Sequence, residues 1–96
     1  MANFKFDRNT VYISGDISIK ESSSLYNFLT GLPVSSNDRV EINLSGTEVW
    51  DSSTIQIFLS FMKNSKKKIV WKNIPEEMKR DIKLTGLLNL FKGDEK

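Results

Sequence analysis

The sequence predicts an α/β domain: a mixed, mainly parallel sheet of four to five strands with helices packed against it. Two observations carry this. Short segments of alternating polar and apolar residues take turns with longer segments whose apolar residues recur at i, i+3, i+4 and i+7, in the order β-β-α-β-α-β-α. Strands that alternate with helices favour parallel pairing, because each helix then serves as the crossover between neighbours. The 96 residues, 39% apolar and 27% charged, suit one globular domain over 1–96, and no repeat, low-complexity segment or linker divides it.

The elements follow in order. "ANFKFDRN" alternates Phe4 and Phe6 with polar residues, a half-buried strand that ends in a turn at Asp7-Arg8-Asn9. "TVYIS", Thr10 to Ser14, pairs with it as a hairpin and closes at Gly15 and Asp16. Leu25, Phe28, Leu29 and Leu32 then mark one face of a helix, capped by one of Ser22 to Ser24 and stopped by Gly31 and Pro33. "VSSND" is loop. Val40, Ile42 and Leu44 alternate along the third strand, and "TEVW" extends or leaves it. A second helix begins at "DSST", and Lys68 to Lys72 form a fourth strand. Pro75 suits a first helical position, with Glu76 and Glu77 where the helix dipole favours negative charge. Ile74, Met78 and Ile82 give that helix its apolar face. "LTGLLNLF" breaks at Gly86 into a short apolar return, and 92–96 read as a frayed tail.

Composition narrows the chemistry. With no cysteine and no histidine, the chain lacks disulfides, thiolate metal ligands, the commonest metal ligand and the commonest general base. No cofactor, metal site or catalytic residue is expected. A serine nucleophile needs a base, and only a lysine or Asp51 could serve. Residues 1–48 carry four Lys/Arg against six Asp/Glu, and residues 49–96 ten against six. The dense run Lys66-Lys67-Lys68 reads as a solvated helix end rather than a nucleic-acid surface, which would need a broader stripe interleaved with aromatics. The N-terminus has no signal-peptide core and no apolar run approaches the ~20 residues of a membrane span. The expectation is a cytoplasmic protein without membrane insertion, a monomer or weak dimer.

The second helix holds the candidate site. At about 100° per residue, Ile55, Phe58, Leu59 and Met62 share one side while Ile57 and Phe61 lie nearly opposite. A surface helix of a small domain needs only one apolar face. Two readings stay open: Ile57 and Phe61 pack beneath a neighbouring helix or loop, or they form a partner-binding patch. At the helix start, Asp51 or Ser52 is placed to cap. The remaining free N–H groups and the positive helix end favour an anion, including a phosphate on one of the serines.

Four pieces in order, "VYISGDIS", "RVEINLSGTEVWDSS", "STIQIFLSFMKNSKKK" and "LTGLLNLF", resemble the STAS domain (sulphate transporter and anti-sigma factor antagonist), in particular its small bacterial members. The resemblance runs from about Val11 to Phe91. It implies a non-enzymatic module that binds an anti-sigma factor, often itself a serine kinase, and is switched by phosphorylation of Ser52 and reset by a phosphatase. It places Gly15, Asp16, Asp51, Ser52, Ser53 and Thr54 at the contact surface. The alternative it implies is an unphosphorylated subunit of a larger assembly, such as a lipid-transporting ABC transporter, docked on the ATPase through Ile57 and Phe61. Three positions depart from the family pattern. Thr54 and Gln56 stand where glycine and another small residue are usual, which predicts a bulkier partner surface. Ser18 stands where an Asp is frequent, removing an acid near the phosphate site.

Overall fold

A computed structural model describes residues 2–33, 38–65 and 68–91. The elements are β1 (Asn3–Asp7), β2 (Thr10–Asp16), α1 (Ser22–Thr30), β3 (Arg39–Val49), α2 (Ser52–Asn64), β4 (Lys68–Lys72) and α3 (Glu76–Lys83), with short 3-10 turns at Ile19–Glu21 and Leu88–Leu90. The four strands stand in the order β1-β2-β3-β4; β1 and β2 pair antiparallel, and the other pairs are parallel. The expected mixed, mainly parallel α/β sheet is thus formed, with four strands. The lysines at 66 and 67 and the tail at 92–96 lie outside the described residues.

The hairpin turns on two residues, Arg8 and Asn9, both with positive φ (52° and 66°), the geometry that matches the twist of paired strands. From β2 onward each strand lies beside its predecessor. Parallel crossovers are almost always right-handed, so successive crossovers that advance in one direction put their helices on one face. The side chains agree. Phe6, Val11, Ile42 and Trp71 align across all four strands on the core face. The next row, Lys5, Tyr12, Asn43 and Lys72, is polar apart from the Tyr12 ring, which is 43% exposed.

Leu25 and Leu29 of α1 are fully buried, and Phe28 stacks on Phe4 with ring centroids 5.3 Å apart. The serines at 22–24 do not cap α1. The 3-10 turn Ile19–Glu21 runs straight into it, so the chain is already helical at Ser22 and the cap position falls on Glu21. Pro75 likewise sits one residue earlier than expected, as the N-cap of α3, whose Met78 and Ile82 are fully buried.

The second apolar face of α2 resolves in favour of packing. Phe61 is 4% exposed within the core, Ile57 is half-buried against it, and α2 packs against α1. Phe58, on the other apolar stripe, meets Trp71 and Phe91 edge-on at 4.9 and 6.5 Å. A helix lodged between a helix and a terminal segment buries both sides. Phe61 is therefore not exposed for a partner, a correction to the surface expected of it.

Candidate functional site

In parallel sheets, functional loops gather where strands end and crossovers begin. Here β2 and β3 end side by side, with Gly15 paired to Thr47 and Asp16 to Val49. This brings the loop after β2 against the start of α2. Two glycines permit the approach. Gly15 holds φ at 84°, a left-handed conformation that other residues adopt at a cost. Gly46 passes so close to β2 that a Cβ there would stand 2.7 Å from the Ser14 Cβ. The pairing register shifts at both places, and the Thr47 hydroxyl, nearly buried, donates to the Ile13 carbonyl at 3.2 Å.

Asp51 is the hub. As N-cap of α2 it accepts through Oδ1 from the backbone N–H groups of Ser53 (3.0 Å) and Thr54 (3.3 Å) and from the Ser53 hydroxyl. Its other oxygen accepts from the Ile19 N–H at 2.9 Å, joining α2 to the loop after β2. Asp16 organises that loop in turn, accepting from the Ser18 N–H (2.9 Å) and hydroxyl (2.6 Å). The position where an acid was expected thus holds a donor to the neighbouring acid. The free helix N–H groups anticipated for an incoming anion are partly occupied, because Asp51 already takes those of Ser53 and Thr54.

Thr54 overturns its expected role. Its side chain is fully buried and faces inward, donating to the Ile17 carbonyl and accepting from the Asp51 N–H at 3.3 Å. It completes a capping box and ties α2 to the β2–α1 loop. A residue buried in this way adds no bulk to the surface; of the two unusual residues, only Gln56 is exposed.

The three hydroxyls are thereby sorted. Those of Ser53 and Thr54 are committed to Asp51 and to Ile17. Ser52 is exposed, and its hydroxyl makes no hydrogen bond among the described residues. It borders a groove of about 250 Å³ between α2 and α3, lined also by Asp51, Ile55, Gln56, Asp81, Leu84 and Thr85. Trp50 orients Asp81 by donating its indole N–H at 2.8 Å. Leu84, 87% exposed, and Ile19, 66% exposed, add apolar surface that the sequence did not single out. Leu84 falls just past the last turn of α3, where its exposure could not be read from helical spacing. Ile19 is brought in by a bond to Asp51 across 32 positions.

Both acids are held below the ordinary aspartate value of 3.8. For Asp51 the main cause is the Ser53 hydroxyl bond, opposed by partial desolvation and reinforced by the N–H bonds from Ile19, Thr54 and Ser53. For Asp16 it is the Ser18 hydroxyl and then the Ser18 N–H. Depressed values mean stability that is present above the unfolded-state value and lost as pH falls through the folded one. At pH 7 Asp51→Asn should therefore be less stable than wild type, because asparagine keeps one capping oxygen but loses the charge and the second acceptor that takes the Ile19 N–H. The gap should begin to narrow below about pH 4, where unfolded aspartates take up protons, and close only below the lowered folded value. Urea midpoints across this range measure it.

Among the described residues no group of three or more acids could hold a metal, and no helix is long and apolar enough to cross a membrane. The arrangement is a hydrogen-bonded helix cap with one hydroxyl, that of Ser52, unbonded among the described residues, amid apolar and acidic surface. The STAS domain family model matches residues 3–96, and the chain belongs to that family. No curated protein matches the chain. Membership makes it a regulatory interaction domain, of the anti-sigma factor antagonist-like or transporter-associated kind.

Proposed function

We propose that the chain is a non-enzymatic partner-switching regulator. It binds an anti-sigma factor with serine-kinase activity through the surface around the start of α2, and phosphorylation of Ser52 breaks the complex. The observation that carries this reading is the Ser52 hydroxyl: exposed, unbonded and bordering a groove, while its two neighbours are tied down. A phosphate there brings a charge of about −1.5 to −2. Asp51 already occupies the nearest helix donors, and Asp81 shares the groove. The new charge is therefore left to project outward and repel, instead of being absorbed by the helix end. Gly15, Asp16, Asp51 and Ser53 serve by holding this surface in shape.

The test uses a cognate anti-sigma kinase with Mg-ATP. Label should enter wild type and not Ser52→Ala. Ser52→Ala should bind the kinase whether or not ATP is present. Ser52→Asp should bind at least about tenfold more weakly, equivalent to 1.4 kcal/mol. Equal binding by both variants, or label retained in Ser52→Ala, would refute the switch. The transporter-associated reading draws support from the apolar exposure of Ile19 and Leu84, suited to a lasting interface. It predicts co-purification with an ATPase that survives Ser52→Asp.

A further inference from the structure

A second concavity lies toward the other end of α2, apart from Ser52. Leu59 and Met62 of α2, Ile69 of β4, and Leu87 and Leu90 of the C-terminal segment line a groove of about 410 Å³, with Lys63 at its side. The volume falls in the ~300–1,000 Å³ range of small-molecule sites. Met62 is held in place from behind the lining. Trp71, 2% exposed, donates its indole N–H to the Met62 sulfur at 3.3 Å, and Phe91 packs on Trp71 with ring centroids 4.8 Å apart. Leu87 is held by Thr85, which donates to the Ile82 carbonyl at 2.6 Å and accepts from the Leu87 N–H at 3.1 Å. Leu87 and Leu90 nonetheless remain 39% and 47% exposed.

The lining restricts the ligand. Lys63 is the one polar side chain among the described residues that line it. Against the described lining side chains, a nucleotide, a sugar or a peptide backbone would bury several polar groups with Lys63 alone to meet them, at a cost that apolar contact does not recover. An aliphatic body with a single anion at one end matches the described side chains of the lining. We propose that this groove binds a free single-chain anionic amphiphile of the medium-chain fatty-acid class. The chain lies along Leu59, Met62, Ile69 and Leu90, and the carboxylate meets the Lys63 ammonium.

The experiment titrates decanoate, below its micelle concentration, into the full chain and follows methyl signals by NMR. Saturable binding is expected, with the shifts centred on Met62, Ile69, Leu87 and Leu90. Lys63→Glu should weaken binding about three- to tenfold, and decanol should bind wild type about as weakly, since each removes one partially exposed ion pair. Leu90→Asp should weaken binding at least about tenfold by placing a like charge in the wall. Circular dichroism reports the fold of each variant. If Leu90→Asp fails to fold, Lys63→Glu, at an exposed helix position, decides by itself. Absence of saturation, shifts centred elsewhere, or equal binding by wild type, Lys63→Glu and decanol would each overturn the proposal. So would retention on anionic vesicles without binding of free decanoate, which would mark a membrane surface instead. None of these readouts depends on Ser52.

Discussion

Phe58→Ala should lower the unfolding free energy by about 3–5 kcal/mol, the range for deleting a fully buried aromatic ring. Phe58 is 0% exposed, and its ring meets Trp71 and Phe91 edge-on. Those two rings also pack on each other, so removing Phe58 opens a space that neither can fill without leaving its partner. A domain of this size has roughly 5–15 kcal/mol of stability in all. The loss is therefore a large fraction of the whole, and the melting midpoint should fall by about 4–8 °C for each kcal/mol. Leu59→Ala, one residue on and only half-buried, should cost about 1 kcal/mol, because less apolar area leaves water when it folds. Urea denaturation of both variants compares them directly. A Phe58→Ala cost near that of Leu59→Ala would mean that the C-terminal segment does not close over the sheet as described.

Thr54→Val should cost about 2–4 kcal/mol although it preserves the volume of the side chain. Its hydroxyl serves two backbone partners, donating to the Ile17 carbonyl and accepting from the Asp51 N–H. A methyl in its place leaves both without that partner: the Ile17 carbonyl in a buried site, at about 1–3 kcal/mol, and the Asp51 N–H in a part-buried one, at about 1 kcal/mol. Thr54→Ser keeps the hydroxyl and loses one methyl, about 0.8 kcal/mol. The order is thus Ser above Val. The reverse order would show that shape matters at this position and the hydrogen bonds do not. Thr54→Gly, which installs the residue usual in the family, should be worse still. It loses the hydroxyl and adds about 1 kcal/mol for glycine inside a helix. Here the hydroxyl gives α2 a cross-link to the loop after β2 that a glycine could not form.

The secondary structure was legible in the sequence because its signals are local. Alternation marked Phe4 and Phe6, and Val40, Ile42 and Leu44. Helical spacing marked Leu25 and Leu29, and Met78 and Ile82. Each of these patterns is complete within one element. Helix ends were less legible, since the serines at 22–24 lost the cap of α1 to a 3-10 turn that begins before them. At the candidate site, the chain order placed Asp51 and Ser52 at the start of a helix. It did not divide the labour among the hydroxyls. Ser52, Ser53 and Thr54 are chemically alike, and what separates them is where each points once α2 has docked.

The sequence by itself therefore determined the alternation of strands and helices, the missing cysteine and histidine chemistry, and the family. Periodicity, composition and ordered motifs are carried by neighbouring residues. Only the tertiary structure decided that Phe61 is core, that Thr54 turns inward to Ile17, that Asp51 reaches Ile19, and that the Ser52 hydroxyl has no partner among the described residues. The partners of Thr54 and Asp51 lie 37 and 32 positions away along the chain. They meet because β2 and β3 end side by side in a parallel sheet, a juxtaposition that no window of neighbouring residues contains.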